Sequence, residues 1–267
     1  MTANYTTIET TADAGVMTIR LNRPDSRNAF NEQMGVELGT ALRMAQRDGA
    51  VRCLVLTGTG KAFCSGQDLK EIEGHYREDA EPLDFGAHLR QQYNPIVLRL
   101  RSMEKPVIAS VNGVAAGAGF SFALAADLRI CAQSASFMMA FVHVGLVPDS
   151  GGALALLQQV GYAKAAELCF LGERISAERA LSMGFVNRVV ADDELEAETR
   201  KLAARLAALP TRAIGLTKRL LNRAWTAELE QQLEYEAFLQ ETAGQTADHR
   251  EGVLAFVEKR KPDFKGC

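Results

Sequence analysis

Val107-Ile108-Ala109-Ser110-Val111-Asn112-Gly113-Val114-Ala115-Ala116-Gly117-Ala118-Gly119 begins as an uncharged, β-rich run, turns at Asn112-Gly113 and continues in small residues at helical spacing. The uncharged stretch from Val107 to Ala126 is long enough to span a bilayer, and Gly113-x-x-x-Gly117 even matches a membrane-helix pairing pattern. The change of residue type at the turn argues instead for strand, turn and helix. A helix opening at Gly117-Ala118-Gly119 leaves the Ala118 N–H without a helical acceptor, in the field of the helix dipole and among small side chains. Close packing of a helix on a strand would use the same residues.

A second segment has the same character. Lys61-Ala62-Phe63-Cys64-Ser65-Gly66-Gln67-Asp68 follows the apolar run Val51 to Thr57 and is expected to be a loop entering a helix, with Gly66 at the bend and the Gln67 N–H free for a ligand. A simple turn at Gly66 is the alternative. Two such donors converging on one oxygen would form an oxyanion hole, in which losing one donor typically raises the barrier by about 3–4 kcal/mol.

Outward from these segments, Val16 to Leu21 alternates as a half-exposed strand and stops at Asn22-Arg23-Pro24-Asp25. A helix from Asn31, with Met34, Leu38, Leu42 and Ala45 on one face, leads to the strand Val51 to Thr57. Glu71 to Glu81 reads as a mobile surface connection, and helical periodicity resumes from Phe85 to Leu100, before Lys105-Pro106. Leu128 to Ala132 and Ser136 to Met138 are short strands. This alternation predicts an α/β core over residues 1–193 whose parallel strands deliver loops to one edge. Residues 194–267 are almost wholly helical in pattern, and their apolar positions, Trp225 and Phe238 among them, exceed what a helical hairpin can bury, so self-association is expected.

Gly145-Leu146-Val147-Pro148-Asp149-Ser150-Gly151-Gly152 places Asp149 at a loop tip. It has two readings. One is an N-cap for the helix through Leu154, Leu157 and Val160. The other is a general base whose pKa is raised by an apolar pocket of Phe137, Met138, Met139, Phe141, Val144, Leu146 and Val147.

Composition narrows the function classes. The chain has 267 residues, a formal net charge of −3 and 47% hydrophobic residues, enough for a sizeable core and without the basic field that nucleic acid requires. Five scattered cysteines without C-x-x-C spacing imply neither a disulfide framework nor a zinc site, and a reducing cytoplasm fits them. The N-terminus lacks the basic and apolar regions of an export signal, so Asn4-Tyr5-Thr6 is not expected to be glycosylated. Gly58-Thr59-Gly60-Lys61 is not a P-loop, since Val55 and Ala62 occupy its first glycine and Ser/Thr places. Gly117-x-Gly119 continues to Phe122, so the dinucleotide fingerprint is absent, and Pro148 removes the first glycine of G-x-S-x-G around Ser150. His143 is the only histidine close to Ser150 in sequence. His75, His88 and His249 read as solvated or structural, and no histidine spacing suggests a metal.

From about Val16 through Lys265 the chain resembles the enoyl-CoA hydratase/isomerase (crotonase) family. The likeness lies in Leu21-Asn22-Arg23-Pro24, Ala62 to Leu69, Lys105 to Ala109, Asn112 to Gly119, Gly172 to Ala177 and Glu251 to Phe256. The resemblance implies an α/β spiral of ββα units with a C-terminal helical region, assembled as a trimer or a dimer of trimers. It implies acyl-CoA thioester substrates, with coenzyme A entering as part of the substrate and no metal or redox cofactor. It carries the oxyanion donors onto Gln67 and Ala118 and the catalytic carboxylate onto Asp149. Substrate or CoA contacts fall on Ala62, Phe63, Gly66, Asp68, Leu69, Gly117, Phe141 and Asn94, with Lys259 expected from a neighbouring subunit.

Family hydratases hold water between two glutamates, and those places are Ser121 and Phe141 here, which disfavours hydration. The place of a dehalogenase histidine is Asn94. Within the family, Gly66 to Leu69, Tyr93-Asn94-Pro95, Gly117 to Gly119 and Phe137 to Gly152 look most like isomerases of an aromatic ring epoxide, followed by isomerases of linear enoyl chains.

Overall fold

The computed structural model describes residues 5–267; Asn4 of the Asn4-Tyr5-Thr6 match lies outside them. In chain order the strands are β1 (Ile8–Asp13), β2 (Val16–Leu21), β3 (Cys53–Gly58), β4 (Ala62–Cys64), β5 (Val107–Val111), β6 (Val114–Ala116), β7 (Leu128–Ala132), β8 (Ser136–Met138), β9 (Ile175–Ser176) and β10 (Arg188–Val190). They form one sheet in the order β1-β2-β3-β5-β7-β10 and a second in the order β4-β6-β8-β9. The β1–β2 hairpin and the β8–β9 pair are antiparallel, and the remaining pairs are parallel.

The helices are α1 (Glu32–Arg47), α2 (Leu69–Ile72), α3 (Phe85–His88), α4 (Asn94–Ser102), α5 (Ala118–Ala125), α6 (Gly152–Leu171), α7 (Ala177–Ser182), α8 (Leu195–Ala207), α9 (Thr211–Ala224), α10 (Leu229–Gly244) and α11 (Ala247–Val257). Successive strands β3–β4, β5–β6 and β7–β8 leave one sheet for the other, and α2 and α5 follow the first two pairs. This is the spiral of ββα units that the resemblance implies. No helix among the described residues is long and apolar enough to cross a membrane.

Local chemistry accounts for these elements. β5 is buried at every position because both faces of the large sheet are covered there, whereas β2, nearer the edge, alternates as its sequence predicts. The β5–β6 corner requires glycine for space: a Cβ on Gly113 would stand 2.2 Å from the Lys61 carbonyl oxygen. Asn31 caps α1 by accepting from Met34 N at 3.0 Å, and Met34, Leu38, Leu42 and Ala45 are buried as predicted. α8 packs on the large sheet, where Ser110 and Thr199 hydroxyls meet at 2.8 Å, so the expected boundary at residue 193 immediately precedes a helix that belongs to the core. α9 to α11 form the C-terminal helical region, on which Trp225, Phe238 and Phe256 are exposed in the single chain.

Two sequence expectations change. The expected loop from Lys61 is not all loop, because Ala62–Cys64 is a strand of the second sheet. The Glu71 to Glu81 segment is not merely a surface connection: α2 and the turn Glu73–Tyr76 bring Ile72 and Tyr76 to the wall of the cavity that Asp149 also borders.

Glu37 on α1 ties the N-terminal segment down. Its carboxylate accepts from Thr6 N and Thr7 N at 2.9 and 2.8 Å, from both threonine hydroxyls and from Gln33 Nε2. Burial alone would raise its pKa, but these hydrogen bonds outweigh it and hold the group at about 2. Replacing Glu37 by Ala is expected to cost about 2–4 kcal/mol at neutral pH, by leaving several donors without acceptors. A depressed carboxyl pKa stabilises the fold above the ordinary glutamate value near 4.3, and that contribution fades as pH falls toward 2. Urea melts at neutral and acidic pH should therefore differ more for wild type than for the variant.

Candidate active site

The two glycine segments meet. Gly66 and Gly117 both have positive φ, +94° and +51°, conformations that L side chains rarely adopt. A Cβ on Gly66 would lie 3.0 Å from Ala116 O and 3.6 Å from Ala118 N, and one on Gly117 would lie 4.0 Å from Gly66 Cα, so the two peptides are neighbours. Ala118 is the first residue of α5, and its N–H has no helical acceptor, as predicted.

Gln67 is free for a different reason from the one expected. It precedes α2, whose N-cap is Asp68, and sits in a parallel bridge to Phe30. In that bridge Phe30 N donates to Gly66 O at 2.7 Å and Asp68 N donates to Phe30 O at 2.8 Å. The Gln67 N–H between them faces away from Phe30. Neither it nor the Ala118 N–H donates to an acceptor among the described residues.

Asp149 lies between the turn Ala140–Val144 and α6. Its carbonyl oxygen accepts from Ser121 Oγ at 3.0 Å and from Gly152 N at 2.9 Å, while Ser150 and Gly151 take positive φ values of 52° and 72°. The N-cap of α6 is Gly151 and receives no side-chain bond, so the capping alternative for the Asp149 carboxylate is set aside. Its Oδ1 is buried without a hydrogen-bond partner, as is Ser150 Oγ. Burial raises the Asp149 pKa, and the nearby Ser150 hydroxyl pulls the other way; since that hydroxyl makes no bond by distance and angle, burial governs. His143, the other member of a hypothetical Ser–His pair, is bonded through Nε2 to Gly172 O at 2.9 Å.

A raised carboxyl pKa opposes folding at high pH. The penalty is absent below the ordinary aspartate value near 3.9, where both states are protonated, grows as pH rises, and is complete above the folded pKa. Asp149→Asn should therefore stabilise the protein by about 1–3 kcal/mol at neutral pH, by removing the charge of a half-buried carboxylate whose Oδ1 has no partner, and the gain should shrink on acidification. Thermal melts at several pH values check the sign.

Gln67, Ala118 and Asp149 border one cavity of about 320 Å³. Among the described residues, Asp149 is the only acidic side chain in its wall. Leu69, Ile72, Leu83, Leu89, Val144 and Leu146 supply aliphatic surface, and Tyr76, Phe85, Tyr93 and Phe141 aromatic surface. Gly66 and Gly117 also border it.

Other expected contacts lie elsewhere. Ala62 and Phe63 are buried in β4, and Asp68 pairs with Arg23 at 2.9 Å and caps α2. Asn94 begins α4 outside the cavity wall, and Lys259 is exposed beyond α11. Of the apolar residues expected around Asp149, Phe137 and Met139 belong to the core, and Val147 is 79% exposed.

His88 and Tyr93 were not legible as site residues. Both border the cavity and both reach Gln67 Oε1, His88 Nε2 at 3.0 Å and the Tyr93 hydroxyl in a short contact. Isolated in sequence, His88 carries no motif. The available signal is Pro95, which lacks an N–H for Gln91 O and so favours the π turn Leu89–Tyr93.

The family described as Enoyl-CoA hydratase/isomerase matches residues 11–267. The chain belongs to the enoyl-CoA hydratase/isomerase family. It is 46% identical to the 1,2-epoxyphenylacetyl-CoA isomerase of Escherichia coli K12, over 95% of this chain and 96% of the relative. It is 45% identical to a protein of Rhodobacter capsulatus named a probable enoyl-CoA hydratase, over 98% and 99% of the two chains. An enoyl-CoA hydratase subunit structure from Geobacillus kaustophilus superposes with a TM-score of 0.91 at 35% identity, covering 99% of this chain and all of that one. At the two places where the resemblance puts the glutamates of family hydratases, Ser121 is buried and bonded to the Asp149 backbone, and Phe141 borders the cavity.

Proposed function

We propose that the protein is an acyl-CoA isomerase, with the ring epoxide of phenylacetyl-CoA as its first-choice substrate. The observation that carries this reading is one half-buried carboxylate, Asp149, whose Oδ1 is buried without a partner and which shares a largely apolar cavity with the unpaired amides of Gln67 and Ala118. Hydration between two carboxylates has no second acid in that wall.

In this reading the thioester oxygen accepts from both amides, which lowers the pKa of the adjacent carbon acid. Asp149 takes the α proton, and the electron pair moves onto the thioester oxygen as an enolate. With the ring epoxide, the carbon–carbon bond shared by the epoxide and the six-membered ring opens to give the seven-membered oxepin, its electron pair joining the new double bonds, and the proton held by Asp149 is returned to a ring carbon; with a linear 3-enoyl-CoA the same carboxyl returns the proton at the γ carbon. Composition is unchanged in both cases, and no metal or redox cofactor takes part. The aromatic residues in the cavity wall suit an aryl ring, and the identity to the E. coli isomerase supports that substrate. The aliphatic residues of the same wall support a linear 3-enoyl-CoA as the second reading.

The exposed Trp225 and Phe238, with the apolar groove between α9 and α10 lined by Leu216, Leu220 and Leu233, support self-association as a trimer or a dimer of trimers. Lys259 of a neighbouring subunit is then available to the CoA.

The test is turnover of the ring epoxide, of a 3-enoyl-CoA and of a 2-enoyl-CoA, each followed by product analysis. Conversion of the epoxide to an oxepin is the expected result. Hydration of the 2-enoyl-CoA as the dominant activity would overturn the reading, as would release of free CoA that is lost in Ser150→Ala.

A further inference from the structure

The side chain of Gln67 poses a problem for an oxyanion site. Its carboxamide oxygen is an acceptor beside the cavity in which two amides are to receive a developing negative charge. Left free on a flexible side chain, Oε1 would repel that charge or compete for the Gln67 and Ala118 N–H groups.

In the structure both acceptor positions of Oε1 are taken. The Tyr93 hydroxyl donates to one, and His88 Nε2 lies 3.0 Å from the same oxygen. Because a carboxamide oxygen only accepts, this contact requires the Nε2–H form of His88. Gln67 Nε2 donates to Asp68 O at 3.3 Å, which fixes the sense of the amide. Tyr93 is held in turn by the rings of Phe30 and Phe122, at centroid distances of 4.5 and 5.8 Å.

The helix explains why two residues five apart reach one atom. In a regular α-helix, positions i and i+5 point about 140° apart. Here Pro95 leaves Gln91 O without its usual donor, the π turn Leu89–Tyr93 intervenes, and Asn94 N bonds to Leu89 O. The added residue in that turn brings the rings of His88 and Tyr93 to 5.5 Å.

Building on the proposed function, we propose that His88 is a positioning residue of the oxyanion hole. It saturates Gln67 Oε1 and turns that oxygen away, so that the Gln67 main-chain N–H is left to the thioester oxygen.

The test is a double-mutant cycle of His88→Leu with Gln67→Ala, together with His88→Gln, which keeps a donor at similar reach. His88→Leu should lower kcat by about ten- to a hundredfold with KM changed less than about twofold, as expected for misdirected transition-state groups. His88→Gln should recover most of the loss. In the Gln67→Ala background, which removes the offending oxygen, His88→Leu should change kcat by less than about twofold. Equal losses in both backgrounds, no recovery in His88→Gln, or an effect on KM alone would each overturn the proposal.

The infrared carbonyl band of a bound ¹³C-labelled acyl-CoA gives a readout that needs no turnover. Its downshift should weaken in His88→Leu and return in His88→Gln. A wild-type protein that shifts the band in this way yet isomerises nothing would refute the proposed reaction and leave the role of His88 standing. An unchanged band in His88→Leu would refute that role. Should His88→Leu not fold, His88→Asn, too short to reach Oε1, takes its place in each arm.

Discussion

Asp149→Asn is expected to lower the isomerisation rate by about 10²–10⁴-fold, the usual contribution of a positioned acid–base group. Affinity for acyl-CoA should change little, because the variant keeps the shape of the side chain and the backbone bonds to Ser121 and Gly152. The wild-type pH–rate profile should fall on the acid side with a midpoint above the ordinary aspartate value of about 3.9, since burial raises this carboxyl and only its ionised form removes a proton. Stopped-assay kinetics across the acidic range measure both effects. A variant that retained wild-type turnover would remove Asp149 from the chemistry. The same substitution is expected to raise stability at neutral pH, so a loss of rate cannot be assigned to unfolding if the melting temperature rises.

The second large effect concerns the donor at Ala118. Proline is accommodated at the first position of a helix, where the missing N–H has no helical acceptor to serve. Ala118→Pro therefore removes the proposed oxyanion donor, and fills the space before it, while α5 itself keeps its hydrogen bonds. The expected loss in kcat is about 10²–10³-fold, the range typical of deleting one such donor. Circular dichroism and thermal melting should resemble wild type. A variant that folds and turns over normally would show that the Ala118 amide does not bind the reacting oxygen.

Legibility in the sequence followed the strength of the local signal. β2, β3, β5 and α1 carry long alternating or continuous apolar patterns and were readable as such. β4 and β6, three residues each and buried except for the half-buried Val114, are too short for periodicity to distinguish from the loops around them. Asp149 and Ala118 announced themselves through flanking prolines and glycines, and Ala118 occupies the helix start that its sequence predicts. Gln67 was named for its amide, yet its N–H is freed by a bridge to Phe30, a partner far away in sequence. His88 and the Glu71 to Phe85 segment became interpretable only through tertiary structure, because a lone histidine and a charged, proline-containing stretch carry no pattern. What brings them to the cavity is the π turn before Pro95 and the packing of Ile72, Leu83 and Phe85.

In the proposed reaction Asp149 removes a proton from the carbon next to a thioester whose oxygen is held by Gln67 and Ala118. Deuterium uptake at that carbon of phenylacetyl-CoA in D₂O, followed by NMR, tests it without requiring the full reaction. Wild type should incorporate deuterium well above the buffer rate, and Asp149→Asn, binding the same thioester, should not. Equal incorporation by both proteins, or none by a wild type that still isomerises the epoxide, would contradict proton removal by Asp149.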